Sequence, residues 1–146
     1  MSAVVLDTNI VLDLFVFGDP ASQPLERALA LGPAPGGLQW LATQAMRDEL
    51  ARVLAYAQIV PRLEFHGLDA AQVLARFDAQ ARLVAVPAKA PVTCADADDQ
   101  KFIDLAVAHG ALLLSKDKDV LSMRKRLSVH GARAQRAIDL VAQEAS

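Results

Sequence analysis

The 146-residue chain sets 15 Lys+Arg against 17 Asp+Glu, a formal net charge of -2, and is 53% hydrophobic. That balance excludes intrinsic disorder and a global basic field of the kind that announces a nucleic-acid partner. The single cysteine, Cys94, excludes an intramolecular disulfide and fits a reducing compartment. The length suits one domain over residues 1–146, with no internal repeat. There is no charged-then-apolar leader, and no apolar run reaches the ~18 residues that a membrane span needs. A soluble cytoplasmic protein without membrane contact is the expectation.

Val4-Val5-Leu6 is a short β-branched run that reads as a buried strand and ends on Asp7. Ile10, Val11, Leu14 and Phe15 then recur at helical spacing, with Thr8 or Asn9 as N-cap. Asp19 caps a helix over 20–31 that stops at Gly32, and a Pro/Gly loop follows. Residues 38–42 form a second strand. Thr43 caps a helix to about residue 57, which Pro61 closes off. Asp69 caps a helix to about residue 82, and 83–86 read as a strand. A helix runs over 97–109 to Gly110, and a buried strand follows over 111–114. Beyond Val120 come a short helix, a strand near Arg133 and a terminal helix over 137–143. Strands alternating with helices imply a mostly parallel sheet covered on both faces.

The aspartates have positional meaning. Asp7 and Asp117 each follow an apolar strand, at the edge where open α/β sheets bind ligands. Either could instead cap the next helix, as could Asp119; that use is weaker for Asp7, since Thr8 and Asn9 can cap. Helical phase at roughly 100° per residue sorts the others. Met46, Leu50, Val53, Leu54 and Ala57 make one stripe with Glu49 at its edge, while Asp48 falls opposite. Phe102, Ile103, Ala106 and His109 make a second buried face, with Asp99 near its middle, Asp98 at its edge and Asp104 pointing away. Four inward carboxylates result, Asp7, Glu49, Asp99 and Asp117, with Asp119 and Asp96 in reserve.

Like charges brought together must hold protons or bind cations. An all-oxygen set suits Mg²⁺ or Mn²⁺ rather than zinc, and His66, His109 and His130 are scattered singly. Metals at such an edge suit phosphoryl chemistry, with metal-activated water as nucleophile. Thr8, Asn9 and Ser115 flank the acids and can orient water or phosphate. Arg47 and Arg52 lie on the Glu49 helix, and Lys116, Lys118, Arg124, Lys125, Arg126, Arg133 and Arg136 gather late in the chain. Arg47, Lys116 and Lys118 are the candidate RNA contacts; for any one of them a solvated surface charge is the simpler reading.

Four segments also carry a resemblance: Val5-Leu6-Asp7-Thr8-Asn9, the Thr-Gln-Ala-Met-Arg-Asp-Glu-Leu helix with Glu49, Asp98-Asp99-Gln100-Lys101-Phe102-Ile103, and Leu113-Leu114-Ser115-Lys116-Asp117-Lys118-Asp119. In order and spacing they resemble the PIN domain over about residues 3–121, and more narrowly the PIN-family toxins of bacterial toxin–antitoxin systems. The resemblance implies a three-layer α/β/α sandwich with a central, mostly parallel sheet. It implies an acidic pocket for one or two Mg²⁺ or Mn²⁺ ions, and endoribonuclease activity on single-stranded RNA. The family's acids map onto Asp7, Glu49, Asp99 and Asp117, and its polar residue two after the first Asp maps onto Asn9; Asp119 joins as a metal ligand. Such toxins commonly form homodimers and bind an antitoxin. Ser115 replaces the family's usual Thr, and Ala97 replaces a Pro that often follows the first Asp of the third motif.

Two other classes compete. One is a catalytically idle PIN-like module that binds RNA or protein, against which the full acid set argues. The other is a phosphatase or phosphoacceptor using Asp7 as nucleophile. Such sites generally want a second Asp two residues on, where this chain has Asn9.

Overall fold

A computed structural model describes residues 2–137 and 139–140. In chain order the elements are β1 (Ser2–Leu6), α1 (Thr8–Leu12), a π-helical turn (Asp13–Phe17), a 3-10 turn (Pro20–Ser22), α2 (Gln23–Leu31), β2 (Leu38–Ala42), α3 (Gln44–Leu54), α4 (Val60–Phe65) and α5 (Ala70–Gln80). β3 (Ala81–Leu83), a second 3-10 turn (Ala97–Asp99), α6 (Gln100–His109), β4 (Leu112–Leu114), α7 (Lys118–Leu121), α8 (Arg124–Val129) and β5 (Arg133–Gln135) complete them. Among the described residues no helix is long and apolar enough to cross a membrane.

The five strands form one parallel sheet in the order β3-β2-β1-β4-β5. β1 is central, and the chain builds outward from it first through β2 and β3, then on the other side through β4 and β5. Right-handed crossovers in opposite directions put the connecting helices on opposite faces, which gives the three-layer α/β/α sandwich. A strand buried on both faces has no polar side to alternate with. Hence β1 runs apolar through Val4, Val5 and Leu6, all 3% exposed or less. The carboxyl ends of β1 and β4 lie side by side, paired in register as Leu6 with Leu114, at the point where the order reverses. That is where a crevice opens in such sheets.

On one side the core is organised by Trp40 of β2, 1% exposed. Its ring lies 4.9 Å from that of Phe77, edge-on, and 5.8 Å from that of Phe15. These contacts seat α5 and the π-helical turn on the sheet.

Several boundaries differ from the sequence expectation, for physical reasons. The strand expected over 83–86 is β3, two residues earlier. Its ladder ends with its partner: Val84 N–H donates to Ala42 O at 2.8 Å, and the apolar residues beyond run past β2 into solvent, Val86 being 76% exposed. The helix expected to residue 57 ends at Leu54, its last buried contact. Pro61 opens α4 rather than only closing a helix, since its missing N–H costs nothing in a first turn. His109 is exposed, and Leu105, 0% exposed, fills the buried face of α6 with Phe102, Ile103 and Ala106. Helix α1 is capped by Asp7 itself, not Thr8 or Asn9. Gly110 does end α6 in the left-handed conformation, φ 58°. Most of the helix expected over 137–143 lies outside the described residues.

Truncating Trp40 removes both ring contacts and leaves a cavity that the rigid sheet cannot close. Trp40→Ala is expected to cost about 3–5 kcal/mol of stability, read by chemical denaturation. His109→Ala, at an exposed site, is expected to stay within about 0.5 kcal/mol of wild type.

Candidate active site

The crevice at the ends of β1 and β4 is lined by carboxylates that arrive on separate elements. Asp7 leaves β1, Glu49 comes from the middle of α3, Asp96 caps the 3-10 turn before α6 and Asp99 ends it, and Asp117 leaves β4. Chain direction brings these ends together. Asp7 N–H donates to Leu114 O at 3.1 Å, and Ser115 N–H to Gln135 O at 3.1 Å, so both loops start from fixed ladder positions.

Capping then aims the acids. Asp7 Oδ1 accepts the Asn9 amide at 3.2 Å, Asp96 Oδ1 the Asp98 amide at 2.9 Å, and Asp117 Oδ1 the Asp119 amide at 2.8 Å. A carboxylate has two oxygens, so at Asp96 and Asp117 capping a turn with one leaves the other to meet a cation. Cap and ligand are therefore compatible roles here, not alternatives.

Ser115, fully buried, joins the two strand ends. Its Oγ donates to Asp7 Oδ2 at 2.7 Å and accepts the Asp117 amide at 3.0 Å. Thr8 Oγ1 donates to Glu49 Oε2, while Lys101 Nζ meets Glu49 Oε1 at 2.8 Å. Glu49 is thus half-buried, with each oxygen engaged. Its neighbour Asp48 is exposed and accepts from Gln44 at 3.0 Å.

Asp96, Asp99 and Asp117 converge most closely. One carboxylate oxygen from each lies within 4.8 Å of the others. Asp99 is 8% exposed, and its Oδ2 is buried without a hydrogen-bond partner. A buried anionic oxygen with nothing to bind is costly. Burial first, then the Asp7 charge, then the neighbouring Asp117 carboxyl push Asp99 up to about 7. Burial also raises Asp7, helped by the Asp117 and Glu49 charges and opposed by the hydrogen bonds from Ser115 and Asn9. The donor set is all oxygen, and one oxygen is unsatisfied. That fits a hard divalent cation.

The other candidates are placed less centrally. Asn9 is exposed. Asp119 is exposed and lies outside the converging trio, which Asp96, held in reserve with it by the sequence, completes. Arg47 forks onto Asp78 at 2.7 and 2.8 Å, and Lys116 pairs with the buried Asp13 at 2.7 Å. Lys118 is exposed at the start of α7. Sequence reasoning missed Lys101 as a member of this region. Lys101 carried a signal, being a cation in the first turn of a helix, where the dipole disfavours it.

A protein-family model described as PIN domain matches residues 3–119. The chain belongs to the PIN-domain family. Its central parallel sheet and acidic crevice are consistent with that membership. PIN domains are generally nucleases, and PIN-domain nucleases use divalent metals. No curated protein matches the sequence.

In this PIN domain the metal-free fold holds a proton that the unfolded chain releases. Asp99 has a folded value of about 7 against an ordinary 3.8. The stability it contributes is therefore complete below about pH 4 and is lost as pH rises through 7. The thermal midpoint of chelator-treated protein is expected to fall between pH 5 and pH 8. Millimolar Mn²⁺ is expected to flatten that slope by binding the ionised form. Scanning calorimetry at several pH values checks both.

Proposed function

We propose that this PIN domain is a Mg²⁺- or Mn²⁺-dependent endoribonuclease that cleaves single-stranded RNA, acting as the toxin of a bacterial toxin–antitoxin pair. The observation that carries the nuclease reading is the trio Asp96, Asp99 and Asp117 with the unsatisfied Asp99 Oδ2. Family membership and the order of the four motifs support it. The toxin assignment, an antitoxin partner, a homodimer and a cytoplasmic location rest on the motif resemblance.

Asp96, Asp99 and Asp117 would hold the ion, with Asp7 beside them. A bound divalent ion supplies Lewis-acid polarisation of water and phosphodiester. The protein's part is arrangement. Ser115 holds Asp7 and the Asp117 backbone in one geometry. Thr8 fixes Glu49 against rotation. Lys118, exposed beside Asp117, is available to a backbone phosphate, whereas Lys116 and Arg47 would first have to leave Asp13 and Asp78. Among the described residues no histidine falls in the four acid-bearing segments, so water activation has no imidazole there to rely on.

Cleavage of a labelled single-stranded RNA with Mn²⁺, against a chelated control, tests the reading. Removing a group that only orients a metal ligand typically costs about 10–100-fold, and Ser115→Ala is expected in that range. Asp99→Asn is expected to lose more than Ser115→Ala. Equal cleavage by wild type and Asp99→Asn would overturn the site.

A further inference from the structure

The Lys101–Glu49 pair sets the charge of one half of the crevice. Five acids line it, yet they are not treated alike. Among the described residues, the ion pairs include none to Asp96, Asp99 or Asp117, and Asp99 Oδ2 has no partner at all. Glu49 instead has both oxygens taken, one by Thr8 Oγ1 and one by Lys101 Nζ at 2.8 Å.

The lysine reaches that position at a cost. It is the second residue of the ten-residue α6, where a cation opposes the helix dipole. Its ammonium is held by Glu49, 52 positions away in the chain, by Asp98 O, and 4.9 Å from the Phe102 ring centroid. Its side chain is 28% exposed and that of Glu49 20%. Two of these partners are local, but only Glu49 carries a charge that offsets the ammonium, and it comes from across the site; a local rule broken and offset in this way is expected at functional sites.

We infer that Lys101 is a built-in counter-cation that restricts this centre to a single divalent ion. It neutralises Glu49 and leaves the Asp96–Asp99–Asp117 side for the metal. A second ion on Glu49 would have to displace the ammonium or sit beside it, and at such separations like charges repel strongly. Lys101 is a positioning residue in this role. The inference rests on the metal-centre reading above and narrows it from one or two ions to one.

The test is calorimetric titration of the metal-free full chain with Mn²⁺ alone. Wild type is expected to bind one ion per chain, and Lys101→Arg to keep one. Lys101→Met is expected to bind two, the second at least about tenfold more tightly than any second ion on wild type. Lys101→Met/Glu49→Gln is expected to return to one, which a general loosening of the fold would not produce. Circular dichroism confirms folding, with Lys101→Gln as substitute if Lys101→Met does not fold. A wild type that binds two ions, or a lysine-free variant that still binds one, overturns the inference and leaves the metal centre standing. No Mn²⁺ binding by any variant overturns the centre itself, and the inference with it.

Discussion

The hydrogen bond from Ser115 Oγ to Asp7 Oδ2, 2.7 Å long and fully buried on the serine side, joins the ends of the two strands between which the sheet changes direction. The same hydroxyl accepts the Asp117 amide, so one small side chain sets Asp7 and the start of the β4–α7 loop together. A threonine could offer the same hydroxyl with one more methyl group. In this chain the smaller residue does the work at 0% exposure.

Around that bond the protein concentrates negative charge where water is scarce. Burial and mutual repulsion raise Asp7 and Asp99, so the metal-free crevice is a region of stored unfavourable energy. Such local instability is common at sites that bind or react, and is offset elsewhere. Here the offset is the apolar sheet: Val4, Val5, Leu113 and Leu114 at 0%, with Trp40 wedged between Phe15 and Phe77. The acids are affordable because the strands that carry them cannot easily move.

Cations are distributed with equal selectivity. Lys101 meets Glu49, Lys116 meets Asp13 on the π-helical turn, and Arg47 meets Asp78 on α5. Two of three basic residues that seemed free to greet RNA are thus already engaged, through partners 31 and 103 positions away in the chain (Asp78 from Arg47, Asp13 from Lys116). Composition and clustering say that charge is present. They do not say what it faces.

Much of the architecture was legible in the chain itself. Apolar runs of the right length placed β1, β2 and β4, glycine and proline placed several helix ends, and helical phase turned Glu49 inward and Asp48 outward. These are local matters, decided within a few residues by periodicity and backbone chemistry. The misses were matters of partnership. β3 starts and stops where β2 allows. Asp7 became a cap because its own helix begins there. Asp96 completed the trio with Asp99 and Asp117, and Lys101 found Glu49. The order of elements, their buried faces and the kinds of chemistry at the strand ends were written in the chain. Which acid meets which, and which charge is already paired, came from the folding of distant segments onto one another. Those contacts join segments tens of residues apart, and a distance of that kind is written in no single stretch of chain.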